Sequence, residues 1–139
     1  MKFFGYFLIF VALGCMVVKA DGFVPDFNNM QVLRCDYEET IYEDDGSVVS
    51  TSQQYKIFRI DDANSKIYVQ KEPVYRVLKF DNNVIEYNSQ YMSDYYISAE
   101  HSVIDRLSGT FTSNARITYD NSIYGTRTSK STGTCQIIN

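Results

Sequence analysis

The chain has 139 residues, with 17 acidic and 13 basic side chains, a net charge of −4, one histidine, three cysteines and no tryptophan. That length supports one domain around a single core. The acidic balance excludes the concentrated positive charge that non-specific nucleic-acid binding and attraction to anionic lipid both require.

Residues 1–20 read as a signal peptide. Met1-Lys2 opens it, Phe3 to Val18 is apolar, and Val18-Lys19-Ala20 precedes the polar Asp21-Gly22. The apolar run falls short of the roughly 20 residues a spanning helix needs, so no membrane span is expected after leader cleavage. Lipidation at Cys15 is the alternative, but Ala12 and Leu13 stand in the wrong order for a lipobox. The expected product is a single β-rich domain, residues 21–139, in a secreted, extracellular or periplasmic location. The leader holds two lysines and no acid, which moves the charge from −4 to −6. Two cysteines then remain, Cys35 and Cys135, and an oxidising compartment favours a disulfide between them.

In chain order, residues 32 to 41 place Leu33, Cys35, Tyr37 and Ile41 on one side and Val32, Arg34, Asp36, Glu38 and Thr40 on the other. This period of two predicts a half-buried strand with Cys35 facing the core. Further β-favouring runs cover 48 to 60, 66 to 70, 74 to 80, 83 to 88, 95 to 99, 102 to 107, 111 to 119 and 134 to 138. Turn signals recur at Asp44-Asp45-Gly46, Asp61-Asp62-Ala63-Asn64, Asp81-Asn82-Asn83, Glu100-His101-Ser102 and Asp120-Asn121. Weaker breaks lie between them at Lys71-Glu72-Pro73, Met92-Ser93-Asp94, Ser108-Gly109 and Lys130-Ser131-Thr132-Gly133. Two strands per interval is a hairpin rhythm. It predicts an all-β antiparallel meander of eight to ten strands. A bridge from the first strand to the last brings the ends together, as a closed or nearly closed barrel requires; a two-sheet sandwich meets the same condition.

The chemistry available to such a domain is narrow. His101 has Ser102 beside it and Asp105 four positions on, yet no Gly-x-Ser-x-Gly turn is present and Ser102 points away from His101 in a strand. The six acids between Asp36 and Asp45 lack the Asp-x-Asp-x-Asp-Gly spacing of a calcium loop, and no glycine-rich phosphate loop occurs. No metal or cofactor is expected. The main positive feature is tyrosine: 12 in the chain, one of them in the leader, with Tyr87, Tyr91, Tyr95 and Tyr96 clustered. A stiff apolar ring with a polar tip suits both ligand cavities and protein interfaces. Arg106 is a further candidate for holding an anionic group, set against a structural role in which Gly109 turns the chain and Arg106 pairs with an acid on a neighbouring strand.

Ile104-Asp105-Arg106-Leu107-Ser108-Gly109-Thr110-Phe111, followed by Gly133-Thr134-Cys135, resembles the Ile-Asp/Asn-Arg-x-Ser/Thr-Gly and late Gly-x-Cys pattern of small, largely uncharacterised exported bacterial proteins. The resemblance implies export and β structure and carries no activity. The leader, barrel and terminal disulfide are similar to the plan of lipocalins, but a chain without tryptophan lacks their Gly-x-Trp signature. The expected function is therefore non-catalytic: a protein-interaction domain using tyrosine-bearing strand faces. The alternatives are a small barrel that carries an apolar ligand and a hydrolase using His101.

Overall fold

The computed structural model describes residues 25–120 and 125–139. The expected leader, with Cys15, and Asn121 of the last turn signal lie outside the described residues. A short 3-10 turn, Phe27–Asn29, leads into nine strands. These are β1 (Gln31–Tyr42), β2 (Val48–Asp61), β3 (Lys66–Val69), β4 (Glu72–Pro73), β5 (Arg76–Phe80), β6 (Val84–Met92), β7 (Tyr96–Asp105), β8 (Thr110–Tyr119) and β9 (Thr126–Ile137).

All nine pair antiparallel in one sheet ordered β4-β3-β2-β1-β9-β8-β7-β6-β5. The fold is the predicted all-β meander, curled strongly into a nearly closed barrel instead of stacked as a two-sheet sandwich. Its first and last strands, β1 and β9, pair over ten positions from Leu33–Ile137 to Tyr42–Thr128. The sheet is open elsewhere, between β4 and β5, which are neighbours in sequence but not in hydrogen bonding. Within the β1–β9 ladder Cys35 and Cys135 stand directly opposite each other, 3.9 Å apart at Cα, and form a disulfide across a sequence separation of 100.

Two expected turns are corrected. Glu100-His101-Ser102 runs through the middle of β7, which joins the two runs predicted at 95 to 99 and 102 to 107 into one strand. Its inward residues are polar because they meet polar partners inside the curl, so local hydrophilicity is a poor guide there. Lys130-Ser131-Thr132-Gly133 likewise lies within β9. Gly133 serves close packing: a Cβ there would strike the Asp36 carbonyl oxygen and the Cα and Cβ of Tyr37. The rings of Tyr37 and Phe111, on the two flanking strands, close over it with centroids 5.0 Å apart. Aromatic side chains cover a strand glycine this way to restore the packing it lacks.

The core fills one end of the curl. Leu33, Phe58, Ile60, Ile67, Ile85, Ile104 and Phe111 are buried there, with Cys35 and Tyr87 at its upper limit. Phe58 contacts Phe111 and Tyr87 at centroid distances of 5.9 and 6.2 Å. Among the described residues no helix is long and apolar enough to cross a membrane.

Candidate functional site

Strand alternation sends a second set of residues into the same concave face, above the apolar core. Tyr37 comes from β1, Lys56 from β2, Tyr87 and Ser89 from β6, Glu100 and Ser102 from β7, and Ser113 from β8. The Lys56 ammonium donates to both oxygens of Glu100, at 3.3 and 3.0 Å. Ser113 donates to Glu100 Oε2 at 2.5 Å and Ser89 to Oε1 at 3.3 Å, while Ser102 donates to Ser113 at 3.0 Å. The Lys56 ammonium also lies 5.7 Å from the Tyr37 ring centre and 5.6 Å from that of Phe111, within reach of a cation–π attraction.

The charges shift their neighbours. Burial alone raises the Glu100 carboxyl, but Lys56 and the serine hydroxyls outweigh it and hold the group below its ordinary range. Tyr37 is pushed up to about 12, first by burial and then by the negative charges of Glu100 and Glu39. Tyr87 moves further in the same direction for the same leading reason, loss of solvent. The Tyr87 hydroxyl is buried and has no hydrogen-bond partner among the described residues. Leaving a buried hydroxyl unmet costs about 1–3 kcal/mol, and the Ser102 hydroxyl is the neighbour that acts to relieve it.

Beside this network the concave face opens into a cleft of about 1220 Å³, lined by Lys56, Val74, Tyr75, Tyr87, Tyr91 and Glu100 among others. It lies where the sheet fails to close, between the β3–β5 connection and the β6–β8 face. Ligand cavities of roughly 300–1,000 Å³ are usual for drug-sized molecules, so the space is ample. At its rim Tyr91, Tyr96 and Tyr119 form a ladder of rings 5.8 and 5.7 Å apart, and the Arg127 guanidinium covers the Tyr119 ring at 5.4 Å. Tyr75 and Tyr91 stand largely exposed at the mouth, 93% and 60% accessible.

The residues singled out in the sequence divide accordingly. Tyr87 and Tyr91 line the cleft, Tyr96 joins the ring ladder beside it, and Tyr95 projects into solvent. Arg106 lies apart from them. Its guanidinium forks onto Asp62 in the β2–β3 turn at 2.8 and 3.0 Å, donates to the Asp81 carbonyl at 3.0 Å and stacks on Phe80 at 5.7 Å. It therefore ties three turns together, with its acid on a turn instead of on a neighbouring strand. Gly109 adopts φ +72 in the turn beside it. His101 faces the opposite side of β7 from Ser102 and meets Glu86 at 2.6 Å, whereas Asp105 accepts from the backbone of Leu107 and Ser108. The three parts of the imagined hydrolytic group thus belong to three separate hydrogen-bond sets. Among the described residues no cluster of three His, Cys, Asp or Glu side chains is arranged to hold a metal ion.

Lys56 and Glu100, the centre of the site, escaped the sequence reading. The available signal was parity: Lys56 shares a face with Phe58 and Ile60, and a lysine next to two inward apolar positions announces a shielded partner. Comparison with protein-family models, with curated proteins and with solved structures finds no match to this chain.

Proposed function

We propose that this chain is an exported, non-catalytic binding domain that holds a small amphipathic molecule in its concave cleft. The cleft itself carries the reading: a space of about 1220 Å³ to which Val69, Val74, Ala115 and the rings of Tyr75 and Tyr91 give apolar wall, beside polar and charged residues that include Arg76 and Arg116. Apolar walls favour an apolar body, since each buried Å² of such surface contributes about 25 cal/mol. Lys56 and Glu100 neutralise one another beside the cleft, while Glu72, Arg76 and Arg116 also stand along its lining. A polar head with a hydroxyl or carbonyl can pair with the exposed Tyr75 and Tyr91 at the mouth while its apolar body lies against the wall.

Native mass spectrometry of the protein taken from its own host tests this directly. A retained small molecule is the expected outcome, and its loss on substituting Ala115→Trp, which fills the cleft from the inward face of β8, localises it. A protein that carries nothing and binds none of a panel of long-chain alcohols, ketones and esters refutes the proposal.

A second reading, an interaction domain for a protein partner, is favoured by the tyrosines at the cleft mouth, Tyr75 and Tyr91, together with Tyr95, which is 75% exposed. Such rings are common anchors of protein interfaces. A retained polypeptide in the same experiment supports this reading over the first.

A further inference from the structure

The long edge of β2 has no partner. β3 covers only Phe58–Asp61, and among the described residues nothing pairs with Val48–Lys56 on the side away from β1. Every residue from Val48 to Tyr55 is exposed, on both faces of the strand. The Gln70 amide donates to the Ile57 carbonyl at 2.9 Å, which fixes Ile57 as pointing its backbone outward from β1. Backbone direction alternates along a strand, so Tyr55, Gln53 and Thr51 present their N–H and C=O groups to the same open side.

Sheet edges are normally guarded by charge, proline, bulges or brevity. The two end strands of this sheet follow that rule: β4 has two residues and contains Pro73, and β5 carries Arg76 and Lys79 with an irregular register between Val77 and Lys79. Val48-Val49-Ser50-Thr51-Ser52-Gln53-Gln54-Tyr55 has no charge and no proline. The described start of the chain lies away from it, with Phe27 packed against Tyr68 at a centroid distance of 5.1 Å.

We infer that this edge is a self-association surface, where β2 of one copy pairs antiparallel with β2 of a second copy about a two-fold axis at Ser52. That register sets the outward-facing backbone of Thr51 against Gln53 of the second copy and brings Val49 opposite Tyr55 at both ends. It opposes no like charges, which matters for a chain of net charge −4. Shifting the axis by one residue either way loses the Val49–Tyr55 pair. The unpaired part of β6 offers a weaker match, since only Ser89–Met92 is free there and Ser89 is engaged by Glu100.

Sedimentation equilibrium of the purified protein tests the inference, with a dimer as the expected species. Gln53→Pro removes an outward donor while leaving the bonds to β1 intact, and Ser52→Lys sets two cations face to face at the axis. Each is expected to weaken dimerisation by about tenfold or more, an effect of about 1.4 kcal/mol. Circular dichroism identifies any variant that fails to fold. In the folded background, Ser52→Cys is expected to give a covalent dimer on mild oxidation. A protein monomeric at high micromolar concentration overturns the inference. So does a dimer indifferent to both substitutions, or one whose Ser52→Cys form does not crosslink.

Discussion

Lys56 on β2 and Glu100 on β7 meet at 3.0 Å although three strands, β1, β9 and β8, lie between theirs in the sheet. On a flat sheet four strand spacings would separate them by about 19 Å. The curl makes the pair, and the pair in turn ties the two walls of the cleft. Both side chains are about four-fifths shielded, 21% and 22% exposed. Substituting Lys56→Met is expected to cost about 2 kcal/mol, because it leaves a shielded carboxylate without its cation. The double substitution Lys56→Met with Glu100→Leu is expected to recover most of that loss. Urea denaturation of the four forms measures the coupling, and additive losses would count against it.

The disulfide lies within a continuous ladder, so its removal acts on the unfolded chain more than on native contacts. Closing a loop of this length contributes at most about 4.7 kcal/mol in the chain-entropy picture. Replacing Cys35 and Cys135 together by alanine is expected to lower stability by about 3 kcal/mol while leaving the far-ultraviolet spectrum of the folded state unchanged. Mass spectrometry of non-reduced peptides should show the two cysteines linked.

Gly133 and Gly46 provide a contrast in what a methyl group does. At Gly133 the added Cβ meets β1 backbone, which has nowhere to go, and Gly133→Ala is expected to cost about 3 kcal/mol or to shift the β1–β9 register. At Gly46, φ is +87 and the space around a Cβ is open. Gly46→Ala is therefore expected to cost about 1 kcal/mol, from backbone strain alone. Thermal unfolding of the two variants ranks them, and equal losses would contradict the packing argument.

Stability is expected to fall at both ends of the pH range. Asp62 is held low by its hydrogen bonds from Arg106, Asp81 by the amides of Asn83 and Val84, and Asp105 by those of Ser108 and Leu107. Glu100 is lowered as well, by Lys56 and Ser113 acting against burial. As pH drops the unfolded chain takes up protons before the folded one, so this stability is present above the ordinary carboxylate range and lost on acidification through the lowered values. The tyrosines act in the opposite direction. Folded Tyr37 keeps its proton to about 12 against an ordinary value of 10.0, and Tyr68 and Tyr87 are raised too. Their contribution is complete below pH 10 and disappears as pH climbs through the raised values. Denaturation midpoints across pH check the sign, and tyrosinate absorbance should show a late set of rings that titrates only as the fold is lost.

Much of the framework was legible because it is written in period two. Leu33, Cys35 and Tyr37 alternate with charged neighbours, and Phe111, Ala115 and Ile117 with polar ones, which marks both strands and their inner faces. The reading failed where an inward position is polar or missing. Glu100, His101 and Ser102 resemble a turn until Lys56 and Ser113 are seen opposite them. Gly133 resembles a break until the β1 backbone is found pressed against it. In both places the deciding partner is distant in sequence, and no local window contains it.

The sequence by itself determined most of the strands and connections and the meeting of Cys35 with Cys135, because alternation, turn chemistry and the pairing of two thiols are local or combinatorially simple. Only the tertiary structure decided where the sheet stays open. The opening depends on curl, and curl sums small twists over nine strands. That sum joined β1 to β9, parted β4 from β5, drew Lys56 onto Glu100, and left beside them the cleft on which the proposed function rests.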